Sequence, residues 1–172
     1  MASNIEIKAR IDITAELVAR VAAMADEGPL EIAQDDTFFN CANGRLKLRA
    51  FGDGSGQLIF YRRADRQGPK ESYYLISATA EPELLRAVLS EAHGQAGRVE
   101  KQRTLYLAGR TRIHLDRVAG LGEFLELEVV LGAGEAAQAG VDEADALMAR
   151  IGIQPGQLVE GAYVDLLAAS RA

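Results

Sequence analysis

Charged residues recur at every second position in several separate stretches of the chain. Glu6 and Lys8 are spaced this way, as are Arg45, Lys47 and Arg49, then Lys101 and Arg103. Arg112, His114 and Asp116 form another set, and Glu126 and Glu128 a further one. Arg63 shares its parity with Ile59 and Tyr61. A period of two is the strand period, so each set belongs to one face of a strand. Arg and Lys pair with phosphate oxygens, Arg in bidentate fashion. Carboxylates beside them suit Mg²⁺ or Mn²⁺, which takes a few oxygens from the protein and the rest from phosphate and water. The combination suits a metal-bound polyphosphate.

For any one strand, charges on a solvated outer face are an ordinary explanation. Across all the strands that explanation weakens. Like charges on adjacent strand positions repel, and the arrangement is costly unless an anion sits between them. The carboxylates collect mainly on one stretch, with one more near the N-terminus. A closed sheet with this face inward makes a polar tunnel.

The elements that carry these residues can be read from periodicity. Asn4 to Ile13 alternates, with Ile5, Ile7, Ala9 and Ile11 on one face and Asn4, Glu6, Lys8 and Arg10 on the other. Thr14 to Met24 switches to helical spacing, Asp12 or Thr14 can cap it, and Gly28-Pro29 is expected to end the segment. Extended chain resumes at Thr37, turns at Asn43-Gly44 and continues through "RLKLRAF", "QLIFYRR" and "KESYYLISA". A second helix starts at Thr79 to Pro82, with Leu84, Leu85, Val88, Leu89 and Ala92 as its apolar stripe. Val99 to Leu131 reads as strands broken at Ala108-Gly109 and at Ala119 to Gly122. A third helix covers Ala136 to Ile151, and a short helical tail begins at Pro155. Short turns between strands mean antiparallel pairing. The fold class is α+β: a largely antiparallel, closed or strongly curved sheet with helices outside.

The 172 residues carry a net charge of −6, which argues against non-specific nucleic-acid binding. The single cysteine, Cys41, excludes an internal disulfide, and two histidines make a His-based zinc site improbable. No signal-peptide pattern and no apolar run of membrane-spanning length is visible, so a soluble cytoplasmic protein of one domain, residues 1–172, is expected.

"NIEIKAR" resembles the E-x-E-x-K signature of the CYTH superfamily, the triphosphate tunnel metalloenzymes. "GRLKLR", "VEKQRTLY", "RIHLD" and "GLGEFLELE" are similar, in order, to blocks of class IV adenylyl cyclases. The resemblance runs from Asn4 to Leu167. It implies an eight-stranded antiparallel barrel open at both ends, with a triphosphate such as ATP or tripolyphosphate inside. It implies Glu6, Asp116, Glu126 and Glu128 on the side of a Mg²⁺ or Mn²⁺ ion. Lys8, Lys47, Arg49, Arg63, Lys101, Arg103 and Arg112 would face phosphate, with Arg10, Arg45 and Lys70 as further candidates. Of these, Glu6, Lys8, Arg63, Lys101, Arg103 and Arg112 would carry the catalysis.

The implied reaction converts ATP to cyclic AMP and pyrophosphate. The alternatives are hydrolysis of inorganic triphosphate, a nucleoside triphosphate or thiamine triphosphate, and a non-catalytic polyphosphate or nucleotide binder. His114 reads as a structural hydrogen-bonding residue. The first Glu of the signature is Asn4 here, which would weaken one of two metal positions. The resemblance also allows a homodimer.

Overall fold

The computed structural model describes residues 2–63 and 67–170. Its strands are β1 (Ala2–Arg10), β2 (Glu27–Phe39), β3 (Arg45–Phe51), β4 (Gly56–Arg63), β5 (Lys70–Thr79), β6 (Gln95–Ala108), β7 (Thr111–Val118) and β8 (Gly122–Val130). The helices are α1 (Ala15–Ala22), α2 (Pro82–His93), α3 (Ala137–Ile151) and α4 (Tyr163–Ser170), with one 3₁₀ turn at Pro155–Gln157. The strands close into a barrel in the order β1-β5-β4-β3-β2-β6-β7-β8, and every pairing is antiparallel. No helix among the described residues is long and apolar enough to cross a membrane.

The barrel is apolar outside on one flank, where it buries that face under helices. Ile5, Ile7, Ile113, Leu115, Leu125 and Leu127 pack against Leu17 and Val21 of α1 and Ala144, Leu147 and Ile151 of α3. Each such side chain contributes about 1.5–3 kcal/mol when fully buried. Thr14 caps α1, its hydroxyl accepting from the Leu17 amide at 3.2 Å. Gly140 lets α3 approach β1, since a Cβ there would meet Ile5 Cγ1 at 2.6 Å and Leu131 Cδ2 at 2.7 Å.

A second apolar cluster lies at one end of the barrel. Phe38, Ile59, Tyr61, Val99, Val118 and Phe124 pack there against Ala162, Tyr163, Val164 and Leu167. Among the described residues, the C-terminal segment thus packs across this end, with Ala162 and Tyr163 lining the cavity. Gly97 makes room for it, because a Cβ there would stand 2.4 Å from Val164 Cγ2.

Two local expectations differ from the structure. Gly28-Pro29 does not close a loop but lies within β2, which begins ten residues before Thr37. The register of β2 on β6 shifts between Glu27 and Leu30. Pro29 therefore falls at an irregularity, where a missing N–H breaks no ladder bond. On α2, Leu84 and Val88 are more than half exposed. The inward edge runs instead along Pro82, Leu85, Arg86 and Leu89, because Arg86 donates to Thr37 Oγ1 at 3.0 Å and to Asp35 at 3.1 Å.

Candidate functional site

Where β1 turns Ile5 and Ile7 outward, strand alternation turns Asn4, Glu6 and Lys8 inward. The same parity points the other charged sets into one cavity of about 340 Å³. Among the described residues its wall carries seven basic side chains (Lys8, Lys47, Arg49, Arg63, Lys101, Arg103 and Arg112) against four carboxylates, those of Glu6, Asp36, Glu126 and Glu128. The cavity is therefore net positive inside an acidic protein. All seven basic residues first expected to face phosphate line it, but none of the three further candidates does. Arg10 donates to the Leu121 carbonyl at 2.8 Å, and Arg45 pairs with Asp165 at 2.8 Å. Lys70 is buried beside a smaller recess with Glu6, Lys8 and Glu128.

Four adjacent strands repeat one device. On β3, Lys47 and Arg49 both bond Asp36 of β2, which stands directly opposite Arg49; Lys47 Nζ lies 2.8 Å away and Arg49 makes a bidentate pair at 2.7 and 2.8 Å. On β6, Lys101 and Arg103 bond Asp116 of β7, directly opposite Arg103, at 3.0 Å and at 2.7 and 2.6 Å. Burial pushes each aspartate's pKa up, but the adjacent cations outweigh it and hold both well below the usual range. Each bidentate bond uses two of an arginine's five N–H donors. The clamp fixes the guanidinium and leaves it able to bind an anion.

Asp116 is thereby walled in rather than placed beside a metal. It is fully buried, does not line the cavity, and its oxygens take Lys101, Arg103 and the Tyr163 hydroxyl at 3.0 Å. Glu6, Glu126 and Glu128 do meet. Glu6 stands opposite Glu128, and Lys8 opposite Glu126, across the β1–β8 pair that closes the barrel. Each carboxylate is balanced: Arg63 to Glu6 at 2.5 Å, Lys8 and Arg103 to Glu126 at 3.2 and 2.6 Å, Arg112 to Glu128 at 2.8 Å. Burial raises the pKa values of Glu126 and Glu128, but the cations and His114 around them prevail and lower both.

His114 lies at the meeting point of these carboxylates. Its Nδ1 is buried without a partner, 3.8 Å from Glu128 and 4.0 Å from Glu126. Burial, then Arg103, lowers its pKa to about 4, so the ring is neutral at pH 7 and one of its nitrogens carries a lone pair. Ligand atoms of His114, Glu126 and Glu128 lie within 4.8 Å of one another. One imidazole nitrogen and two carboxylates are a donor set that fits a divalent first-row cation or Mg²⁺. Asn4 Oδ1 is also buried and unpartnered on the same wall.

Lys8 and Lys47 have pKa values lowered to about 8. Burial is the main cause for both, with Arg63 and Lys101 adding at Lys8 and Arg49 and Lys101 at Lys47. At the covered end, the Gly161 carbonyl accepts from Lys8 and from Arg63, each at 3.0 Å. The Tyr163 ring lies 4.0 Å below Lys8 Nζ, within cation–π range. Asp36, Gln34 and Tyr163 are site residues that sequence reasoning passed over. The first two alternate with Phe38, but on a part of β2 that the Gly28-Pro29 signal hides, while nothing in the C-terminal sequence marks Tyr163.

The barrel thus buries one outer flank under helices and is densely charged within. The family model for the CYTH domain matches residues 2–163, and the chain belongs to that family. Among solved structures it is similar to the PH1012 protein of Pyrococcus horikoshii OT3, at 21% identity over 95% of this chain and 99% of that one, TM-score 0.84. A putative adenylate cyclase of Vibrio parahaemolyticus matches at 18% identity over 96% and 97%, TM-score 0.79. A putative adenylyl cyclase of Hippeastrum, described as having a dominant triphosphatase activity, matches at 14% identity over 99% and 96%, TM-score 0.67. These likenesses establish the fold. No curated protein matches the sequence significantly.

Proposed function

We propose that this chain is a metal-dependent enzyme acting on a triphosphate, of the class IV adenylyl cyclase type, converting ATP to cyclic AMP and pyrophosphate. The observation that carries the reading is the single cavity in which seven cations and the Glu6, Glu126, Glu128 group converge. The Lys47–Arg49 and Lys101–Arg103 pairs bind the β- and γ-phosphates. Their aspartate partners hold them in place before substrate arrives, so little reorganisation accompanies charge development on the leaving pyrophosphate. Lys8, Arg63 and Arg112 turn from their carboxylates toward phosphoryl oxygens. His114, Glu126 and Glu128 would hold Mg²⁺ or Mn²⁺, with Glu6 across the seam and Asn4 as a neutral oxygen donor. A divalent ion there would lower the pKa of the attacking 3′-hydroxyl and offset phosphoryl charge.

The same residues serve hydrolysis, in which water attacks the terminal phosphorus. The activity given for the Hippeastrum protein favours keeping this second reading.

The test is incubation with ATP, tripolyphosphate and thiamine triphosphate, with Mg²⁺ or Mn²⁺, and chromatographic separation of products. Cyclic AMP with pyrophosphate supports the cyclase and orthophosphate the hydrolase. The absence of product from every substrate would sink both.

A further inference from the structure

The donors gathered around Glu126 and Glu128 differ in chemical kind. His114 is 3% exposed, lines the cavity, and its Nδ1 has no hydrogen-bond partner. It stands 3.8 Å from Glu128 and 4.0 Å from Glu126, beyond hydrogen-bond reach of either. Two donors that share one ion through bonds of about 2.1 Å lie no more than about 4.2 Å apart, so both separations admit a bridging cation. Asn4 is 2% exposed, and its Oδ1 is likewise without a partner on the same wall. A buried acceptor left unmet carries a desolvation cost, and this wall leaves both of these.

The charge nearby is already offset. Glu6 holds Arg63, Glu126 holds Lys8 and Arg103, and Glu128 holds Arg112, so three carboxylates face four cations. Mg²⁺ is a hard ion that takes oxygen ligands and gives up its water reluctantly. A wall whose carboxylates are paired and whose unpartnered donors are neutral offers it little. Imidazole suits the later first-row ions, and affinity for nitrogen and oxygen sites rises from Mn²⁺ through Fe²⁺ to Co²⁺. The guanidinium groups that neutralise a carboxylate leave the donor strength of a neutral ring nitrogen in place.

We infer that the site selects a first-row transition cation over Mg²⁺, and that His114 Nδ1 is the selecting donor. This rests on the proposed metal-dependent reading and narrows it. Of the two ions named there Mn²⁺ is favoured, and Fe²⁺ or Co²⁺ binds more tightly still. The glutamates attract any divalent ion, and the imidazole distinguishes among them.

The experiment is competition for bound Mn²⁺, without triphosphate and in a buffer that does not coordinate metals. Mg²⁺ or Co²⁺ is titrated into the Mn²⁺-loaded protein, and the Mn²⁺ released is counted by electron paramagnetic resonance. With wild type, Co²⁺ should act at a concentration about a hundredfold or more below that of Mg²⁺. His114→Asn puts an amide oxygen close to the position of Nδ1. It should weaken Co²⁺ about tenfold or more and leave Mg²⁺ within about threefold. Pulsed resonance on Mn²⁺-loaded wild type should show nitrogen coupling from a bound imidazole, a readout that needs no variant to fold. Absence of that coupling overturns the inference, as does equal displacement by Co²⁺ and Mg²⁺ in wild type. A His114→Asn protein in which both ions weaken equally, or neither changes, overturns it too. If wild type binds no Mn²⁺ at all, the metal-dependent reading fails first and takes the selection with it.

Discussion

Asp116→Asn separates two roles that a carboxylate in this barrel can have. In the structure Asp116 is the counter-ion of Lys101 and Arg103, both of them buried. Asparagine preserves the shape but keeps one acceptor oxygen. Placed at Oδ2, it still receives Lys101, one Arg103 nitrogen and Tyr163, while its NH₂ then faces Arg103 Nε, donor against donor. Breaking a buried pair by removing one charge costs about 3–5 kcal/mol. Glu126 continues to pair with Arg103 at 2.6 Å, so the low end, about 3 kcal/mol, applies. For a chain of this size that lowers the metal-free melting temperature by about 6–12 °C. With His114, Glu126 and Glu128 as the proposed ligands, Mn²⁺ affinity should stay within about threefold. The assays are thermal denaturation in EDTA and titration with Mn²⁺ followed by electron paramagnetic resonance. An unchanged or raised melting temperature together with a tenfold or larger loss of Mn²⁺ affinity would refute the counter-ion role and make Asp116 a ligand.

Arg112→Gln should weaken tripolyphosphate binding about tenfold, whereas Arg86→Gln, on the outer helix α2, should leave it within about twofold; equal effects in a titration would mean the inward assignment is wrong. His114→Ala should lower Mn²⁺ affinity about tenfold or more without lowering the metal-free melting temperature by more than a few degrees, both read as for Asp116. Lys8 and Lys47 are each about half protonated near pH 8. An incoming polyanion raises both pKa values, so tripolyphosphate binding at pH 8 takes up as much as about one proton and binding at pH 6 takes up almost none from these lysines. Calorimetry in Tris and in HEPES, whose ionisation enthalpies differ, measures that number. The same depressed values mean the unfolded chain binds more protons between about pH 8 and 10.5, so these lysines make folding more favourable as pH rises through that window. Gly97→Ala should cost about 1–3 kcal/mol through contact with Val164, and Val164→Ala should restore part of it in a double-mutant cycle by denaturant unfolding.

The barrel was legible where alternation was unbroken. β1, β3 and β6 to β8 put hydrophobic residues on one parity and charges on the other, and parity assigned Lys8, Arg49, Arg103 and Glu126 to one surface. It failed where a local signal mimicked something else. Gly28-Pro29 looks like a loop in any sequence, and only the β2–β6 register shows it inside a strand. With the first part of β2 hidden, Asp36 and Gln34 had no strand to sit on. Parity also says which way a residue points but not how deep it lies. Asp116 shares its face with Arg112 and His114, yet neighbours in space bury it behind the wall. The α2 face was misjudged because hydrophobic spacing outweighed one arginine whose partners, Thr37 and Asp35, are far away in sequence.

The covered end has a kinetic consequence. With Gly161 to Tyr163 packed across one end among the described residues, the proposed substrate would enter and its products would leave by the other mouth. On the proposed reading the phosphate end would lie deepest, among Lys8, Arg63, Lys101 and Arg103, and could not depart past an occupied mouth. On the proposed reading release would be sequential: the organic product first and the phosphate product last. Pyrophosphate or phosphate should compete directly with substrate for the empty protein, while the organic product should not. The order of departure is written into the barrel by a segment that contributes one ring, one hydroxyl and one carbonyl oxygen to the site.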